Sequence, residues 1–195
     1  MIDYEQYEDN ELIALLREKN LTSNKAFNLL YKRYYQRLYK YCLFKTDKRE
    51  DAQDLIQDIW MKFLVAVSDG IKINNLSAYL YGIAKNCYAM KIRDKNSNIR
   101  ISEEACDINE MILPYELNAS LENKELVALI KAATNNLSVK NKDIFIMKWF
   151  TGLAIKEIAE ILNDSTDNIK QRSSRSMKEV MTIIKPIIDE LNQKK

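Results

Sequence analysis

Apolar positions fall at steps of three and four along most of this chain, the spacing that gathers them on one side of a helix. A short amphipathic stretch runs from Glu11 to Lys19, and from Ser23 to Lys45 the residues Phe27, Leu30, Tyr31, Tyr34, Leu38, Tyr41 and Cys42 keep the same period. A third helix is predicted from about Lys48 to Val67, with Ala52, Leu55, Ile56, Ile59, Phe63 and Val67 facing inward and an acidic outer face. Asp69-Gly70 and Asn74-Asn75 then supply turn chemistry between Ser68 and Asn75, and a fourth helix is predicted from about Leu76 to Lys95.

The period fades from Asn96 to about Ala119, where polar and acidic residues surround Pro114, so a linker is expected there. Four apolar-periodic segments follow: Leu121 to Asn136, Val139 to Trp149, Ile155 to Leu162, and Ser165 to about Lys185. Pro186 is expected to kink or end the last of them. The pattern predicts an all-α chain of two small helical domains, 1–95 and 120–195, joined by the linker 96–119. No repeat at a fixed period and no long heptad run is visible.

Composition agrees with this reading. Only three Gly and two Pro interrupt the chain, which favours long helices over many-turned sheets, and 47% hydrophobic residues in 195 suffice for two compact cores. Three cysteines, Cys42, Cys87 and Cys106, are too few and too scattered for a disulfide framework, and with no His no common zinc site can be completed. No metal or cofactor is therefore expected. The acidic first ten residues, and the lack of any apolar run near the ~20 residues that span a bilayer, predict a cytoplasmic protein that is neither exported nor inserted.

The net charge of +2 conceals an uneven distribution. Residues 1–95 carry 16 basic and 13 acidic side chains (+3), residues 96–125 carry 2 and 7 (−5), and residues 126–195 carry 12 and 8 (+4). Two mildly basic lobes around an acidic middle suit contacts with a polyanion at the two ends of the chain.

The candidate chemistry is clearest near the C-terminus. Ile155, Ile158, Ala159 and Leu162 form an apolar stripe, Asn163-Asp164 stand where a tight turn is needed, and Ser165 is placed to cap the next helix. Asn tolerates the left-handed backbone that such a turn demands, so the run has the pattern of a helix-turn-helix. On the second helix Ile169, Ser173, Ser176 and Val180 should face inward, while Asp167, Lys170, Gln171, Ser174, Arg175 and Lys178 share the opposite face. Arg and Lys reach guanine edges and phosphates, Gln reads adenine, and a short Ser lets a helix lie close in the major groove. A merely solvated polar face is the alternative.

Two further surfaces stand out. Asp54, Gln57, Asp58 and Met61 lie opposite the buried stripe of the third helix, an arrangement of carboxylates beside apolar groups that suits a basic protein partner. Metal binding or acid–base work by Asp54 and Asp58 would need a third ligand or a nucleophile that the segment lacks. In Tyr79-Leu80-Tyr81-Gly82-Ile83-Ala84-Lys85-Asn86-Cys87-Tyr88 the spacing buries Leu80, Ile83, Ala84 and Cys87. It leaves the aromatic rings, Lys85, Asn86, Lys91 and Arg93 outside, where rings stack on unpaired bases and cations neutralise phosphates. Tyrosines at helical spacing also serve as core.

Three blocks, in this order, resemble the extracytoplasmic-function class of sigma factors from about Phe27 to Lys178. Asp51-Ala52-Gln53-Asp54-Leu55-Ile56-Gln57-Asp58-Ile59 is similar to the family's polymerase-docking helix, with Gln53 in place of an acid. Tyr79-Leu80-Tyr81-Gly82-Ile83-Ala84-Lys85-Asn86 is similar to the block that recognises and melts the minus-ten element, with Tyr79 in place of a Trp. Glu157-Ile158-Ala159-Glu160-Ile161-Leu162 and Ile169-Lys170-Gln171-Arg172-Ser173-Ser174-Arg175 resemble the minus-thirty-five reader, from which Gln171 and Ser173 are departures.

The resemblance implies a sigma factor that binds core RNA polymerase, through its beta-prime clamp and beta flap, and directs initiation at promoter DNA. Its site residues would be Lys170, Gln171, Arg172, Ser174, Arg175 and Lys178 for the minus-thirty-five element, and Asn74, Asn75, Tyr79, Lys85, Asn86 and Arg93 for the minus-ten element. Asp51, Asp54, Gln57, Asp58 and Met61 would dock on the polymerase. It further implies that the loop Ser68 to Asn75 receives a flipped base and that the acidic linker threads polymerase channels. An anti-sigma factor is a partner that family members often have. On this reading the chain is not an enzyme. The alternatives are a helix-turn-helix regulator acting without being a polymerase subunit, and a helical enzyme working through Asp54 and Asp58.

Overall fold

A computed structural model describes residues 6–18, 20–46, 48–97 and 123–193, and all regular structure among them is helical. The elements are α1 (Asp9–Arg17), α2 (Leu21–Lys45), α3 (Arg49–Ser68), α4 (Leu76–Ser97), α5 (Asn123–Thr134), α6 (Val139–Phe145) with a π-turn over Ile146–Phe150, α7 (Ile155–Leu162) and α8 (Thr166–Gln193). Contacts divide the chain into two compact units, Met1–Lys45 with Glu50–Glu103, and Thr46–Arg49 with Glu104–Lys195. Most of the segment expected to be a linker lies outside the described residues, as do Cys106 and Pro114.

In the first unit α3 supplies the inner face that its spacing predicted, enlarged by Trp60 and Ala66. Trp60 meets the edges of Phe27 and Phe63 at centroid distances of 5.6 and 5.7 Å, which ties α2 to α3. Burying one such large side chain contributes about 1.5–3 kcal/mol, so this face fixes which side of α3 is left to solvent. On α4, Leu80, Ala84 and Cys87 are buried as expected. Ile83 is only half-buried, and Tyr81, expected outside, is fully buried with its ring edge-on to Tyr41 at 5.4 Å. The core position won because Tyr81 sits next to Leu80 on the face that meets α2, where ring burial outweighs solvation of one hydroxyl.

Leu12 and Ile13 bury α1 against α2, and Arg33 and Tyr34 lock the junction by donating to Asp9. At the other end of α1, Arg17 Nη2 donates to the Ile71 carbonyl at 2.8 Å, anchoring the α3–α4 loop. That loop begins with a positive-φ Gly70, whose N–H bonds the Val67 carbonyl while Ile71 N–H reaches Ala66, a helix-ending motif that a side chain at position 70 would strain. Cys42 and Cys87 are buried free thiols, and burial first, then the neighbouring Cys87, pushes the Cys42 thiol up. They are inert core residues.

In the second unit α5, α6 and α7 all pack on α8, and Ile169, Ser173, Ser176, Val180 and Ile184 form its buried stripe. The segment expected to be one helix from Val139 to Trp149 changes character after Phe145. The π-turn continues the apolar run of α6, and Ile144, Phe145, Ile146, Met147 and Phe150 are all buried across the junction. Thr151 closes it, its N–H bonding Ile146 O at 3.1 Å and its hydroxyl bonding Met147 O at 2.6 Å.

Of the two outcomes expected at Pro186, a kink or an end, the helix does not end there but continues to Gln193. A proline there forfeits one backbone hydrogen bond and crowds the preceding turn. Thr182 and Pro186 are both exposed, so water can take the carbonyl that loses its partner, while Ile184 keeps the helix packed on the core.

Candidate nucleic-acid interface

The turn between α7 and α8 is built as the sequence pattern required. Asn163 is the only non-glycine residue with positive φ among the described residues, at φ 50° and ψ 55°. Its N–H bonds Glu160 O at 3.3 Å, and Asp164 N–H bonds Ala159 O at 2.9 Å, so two of the last carbonyls of α7 are satisfied as the chain reverses. At the start of α7 the Glu157 carboxylate accepts from Ala154 N–H at 2.7 Å. Ser165 caps α8, its hydroxyl accepting from Asn168 N–H at 3.2 Å.

A polar cluster fastens this turn to α6. Asp164 Oδ2 lies 2.7 Å from Lys140 Nζ, and Oδ1 accepts from Ser165 N–H at 2.8 Å and from Asn168 Nδ2 at 3.0 Å. Lys140 first, then Asn168 and the Ser165 amide, hold the Asp164 carboxyl down at about 2. Arg172 Nε donates to Asn141 Oδ1 at 3.0 Å, with its Nη1 3.8 Å from Asp164 Oδ2. The Ser176 hydroxyl donates to the Arg172 carbonyl at 2.7 Å.

With its inner face buried, α8 presents Asp167, Lys170, Gln171, Ser174, Arg175 and Lys178 to solvent together. Arg172 is set apart from these residues, since it is half-buried and turned to Asn141. The exposed set is a ridge of donors and cations on one rigid helix, of the size and chemistry that enters a major groove. Ser173, one of the two departures from the resemblance, is buried, 4% exposed.

On the first unit Asp54, Gln57, Asp58 and Met61 are exposed along α3 and Asp51 is half-buried. Asp54 and Asp58 gather no third ligating side chain among the described residues. Beside Gln57 and Met61 opens a groove of about 410 Å³ walled by Phe27, Tyr31, Tyr35 and Trp60. Tyr31 stacks on Tyr35 at 4.8 Å and Tyr35 on Tyr39 at 5.5 Å. Burial and then Tyr35 raise the Tyr31 phenol. The helical period places Phe27 and Tyr31 on the apolar stripe without singling out this aromatic wall; the i, i+4, i+8 run of tyrosines beside exposed Met61, Leu64 and Val65 is the signal that points to it.

Along α4, Asn86, Met90 and Arg93 are exposed at steps of four and three, and Tyr79 and Lys85 are half-buried. Asn74 is exposed in the preceding loop, whereas Asn75 caps α4, its side chain accepting from Ala78 N–H at 2.8 Å. Lys91, expected to be available outside, is half-buried against α3, donating to Asp51 O at 3.3 Å and lying 3.8 Å from Asp54 Oδ2. No helix among the described residues is long and apolar enough to cross a membrane.

Comparison with known proteins gives consistent matches. The family described as Sigma-70 region 2 matches residues 30–98. The chain is 25% identical over 160 residues to the ECF RNA polymerase sigma factor SigX of Bacillus subtilis, covering 78% of this chain and 80% of that protein. It is 26% identical over 153 residues to SigW of the same organism, covering 73% and 80%. Among solved structures it is similar to CnrH in complex with the cytosolic domain of CnrY, with TM-score 0.66, 17% identity and 91% and 97% of the two chains covered. It is also similar to the sigma factor RpoE of Bartonella quintana in complex with the anti-sigma factor NepR, with TM-score 0.55, 23% identity and coverage of 81% and 94%.

Proposed function

We propose that the chain is a sigma factor of the extracytoplasmic-function class, a reading supported by the Sigma-70 region 2 match over residues 30–98 and by the sigma-factor relatives, and that its surfaces divide the work of promoter-specific initiation. The exposed face of α3, with Asp54, Gln57, Asp58 and Met61, docks on the clamp of core RNA polymerase, and the aromatic groove beside it extends that contact. The α8 ridge of Lys170, Gln171, Ser174, Arg175 and Lys178 reads the minus-thirty-five element as duplex. Asn74, Tyr79, Lys85, Asn86 and Arg93 hold the opened minus-ten element. Residues 1–95 thus act as the docking and melting domain, 120–195 as the upstream reader on the flap, and 96–119 as the acidic linker between them. The chain works in the cytoplasm by binding and orienting, and makes or breaks no bond itself. An anti-sigma factor would be expected to compete for the same docking surfaces.

The observation that carries this reading is the α7–turn–α8 geometry, in which a left-handed Asn163 and a capped α8 leave one donor-rich face to solvent. Footprinting tests it. Free chain should leave promoter DNA unprotected, because each lobe offers few contacts, while chain plus core polymerase should protect two separated stretches. Tight operator protection by the free chain would instead favour a regulator that acts without the polymerase.

A further inference from the structure

Arg172 belongs by sequence to the basic run of α8, and by geometry to something else. Its neighbours Gln171, Ser174 and Arg175 are exposed, whereas Arg172 is half-buried and spends its Nε–H on Asn141 Oδ1 at 3.0 Å. Its Nη1 leans to Asp164 Oδ2 at 3.8 Å, the same oxygen that Lys140 holds at 2.7 Å. One turn on, the buried Ser176 hydroxyl donates to the Arg172 carbonyl at 2.7 Å and lies 3.5 Å from the Asn141 carbonyl. Asn141 itself is fixed, since its N–H bonds the Ser138 hydroxyl that caps α6. One guanidinium therefore spans three places: the first turn of α6, the α7–α8 turn and the body of α8.

We propose that Arg172 is a strut rather than a DNA reader, and that Asn141 and Asp164 are positioning residues which set the angle and register at which α8 presents its base-reading face. Readout by Lys170, Gln171, Ser174 and Arg175 is a matter of fractions of an ångström, because bidentate contacts to base edges are lost when a helix rolls or slides. Two of the inward positions of α8 are the small residues Ser173 and Ser176, which fill less of its seat than larger apolar side chains would. The polar tie replaces the steric definition that a larger apolar side chain would give. The specificity set of α8 then contracts to Lys170, Gln171, Ser174, Arg175 and Lys178, with the strut outside it. This rests on α8 being the upstream reader.

The test has two arms, so that failure of the strut and failure of the reader role can be told apart. In the full free chain, the Arg172 Nε–H should exchange with water measurably more slowly than the Arg175 Nε–H by NMR. That protection should vanish in Asn141→Ala and persist in Asn141→Asp, which keeps the acceptor oxygen. Equal exchange at the two arginines overturns the strut whatever the chain does on DNA. In the second arm, holoenzyme from full chain and bare core polymerase transcribes a promoter library with a randomised upstream element. Asn141→Ala removes no charge and should flatten the base preference across the element by about threefold to tenfold, with the salt dependence unchanged. Arg172→Ala should flatten it equally, and the double variant no further. Loss confined to one base pair in Arg172→Ala would make Arg172 a reader. A uniform loss with a salt slope lower by about one would make it a phosphate clamp. If wild-type holoenzyme transcribes the library with no upstream preference while the NMR protection holds, the reader role fails and the strut stands as architecture alone.

Discussion

Lys140 Nζ lies 2.7 Å from Asp164 Oδ2, joining the first turn of α6 to the turn that launches α8. The side chain of Asp164 is only 13% exposed, so this pair, with Ser165 and Asn168 on the other oxygen, defines where the helix begins. The carboxyl is depressed from 3.8 to about 2, so its interactions stabilise the folded unit above pH 3.8 and are lost as pH falls through about 2. An NMR titration of the Asp164 carboxyl should therefore show a midpoint near 2, and Lys140→Met should return it toward the ordinary value. A midpoint unchanged by Lys140→Met would show that the pair does not control the carboxyl.

Asn163 is a second determinant of the same turn. At φ 50° a β-branched side chain is strained, so Asn163→Val should cost about 1–2 kcal/mol of stability. Asn163→Gly should stay within about 0.5 kcal/mol of the parent. Thermal denaturation of the full chain, followed through signals of residues 123–193, measures both. Equal stability of the Val and Gly variants would mean that the turn relaxes to another backbone.

On the exposed ridge, Arg175→Ala should weaken holoenzyme binding at a preferred upstream element by about 1–3 kcal/mol, the size of a bidentate guanine contact. The loss should be much smaller on random duplex DNA, as read by competition binding. Equal losses on both would reduce Arg175 to a phosphate contact.

The α3 surface makes a separate claim. Reversing Asp54 and Asp58 to Lys places positive charge on an exposed face and touches none of the buried stripe, so circular dichroism should be unchanged. Co-purification with core polymerase should be abolished. Retained co-purification would place the docking surface elsewhere.

Much of this was legible in the sequence because period and turn chemistry are local. The α3 stripe, the left-handed Asn163 and the Ser165 cap depend on residues within one or two turns of each other, and all are found where the pattern put them. What escaped is what depends on neighbours distant in sequence. Tyr81 is core because Tyr41 is there to receive it, Lys91 folds back on α3, and Arg172 is claimed by Asn141, 31 positions earlier. The π-turn after Phe145 is a further case, in a run whose apolar spacing reads as one continuous helix. Pro186 fails as a stop signal for a related reason: burial of Ile184 and a solvated surface at Thr182 outweigh one missing hydrogen bond.

The most direct measurement is run-off transcription with purified full chain, bare core RNA polymerase and genomic DNA of the source organism, with transcript 5′ ends sequenced. Initiation should occur at defined positions that share one upstream and one downstream motif, and should vanish when either the chain or the core is left out. If a known sigma factor starts transcription on the same core while this chain yields no defined 5′ end, promoter-directed initiation is contradicted.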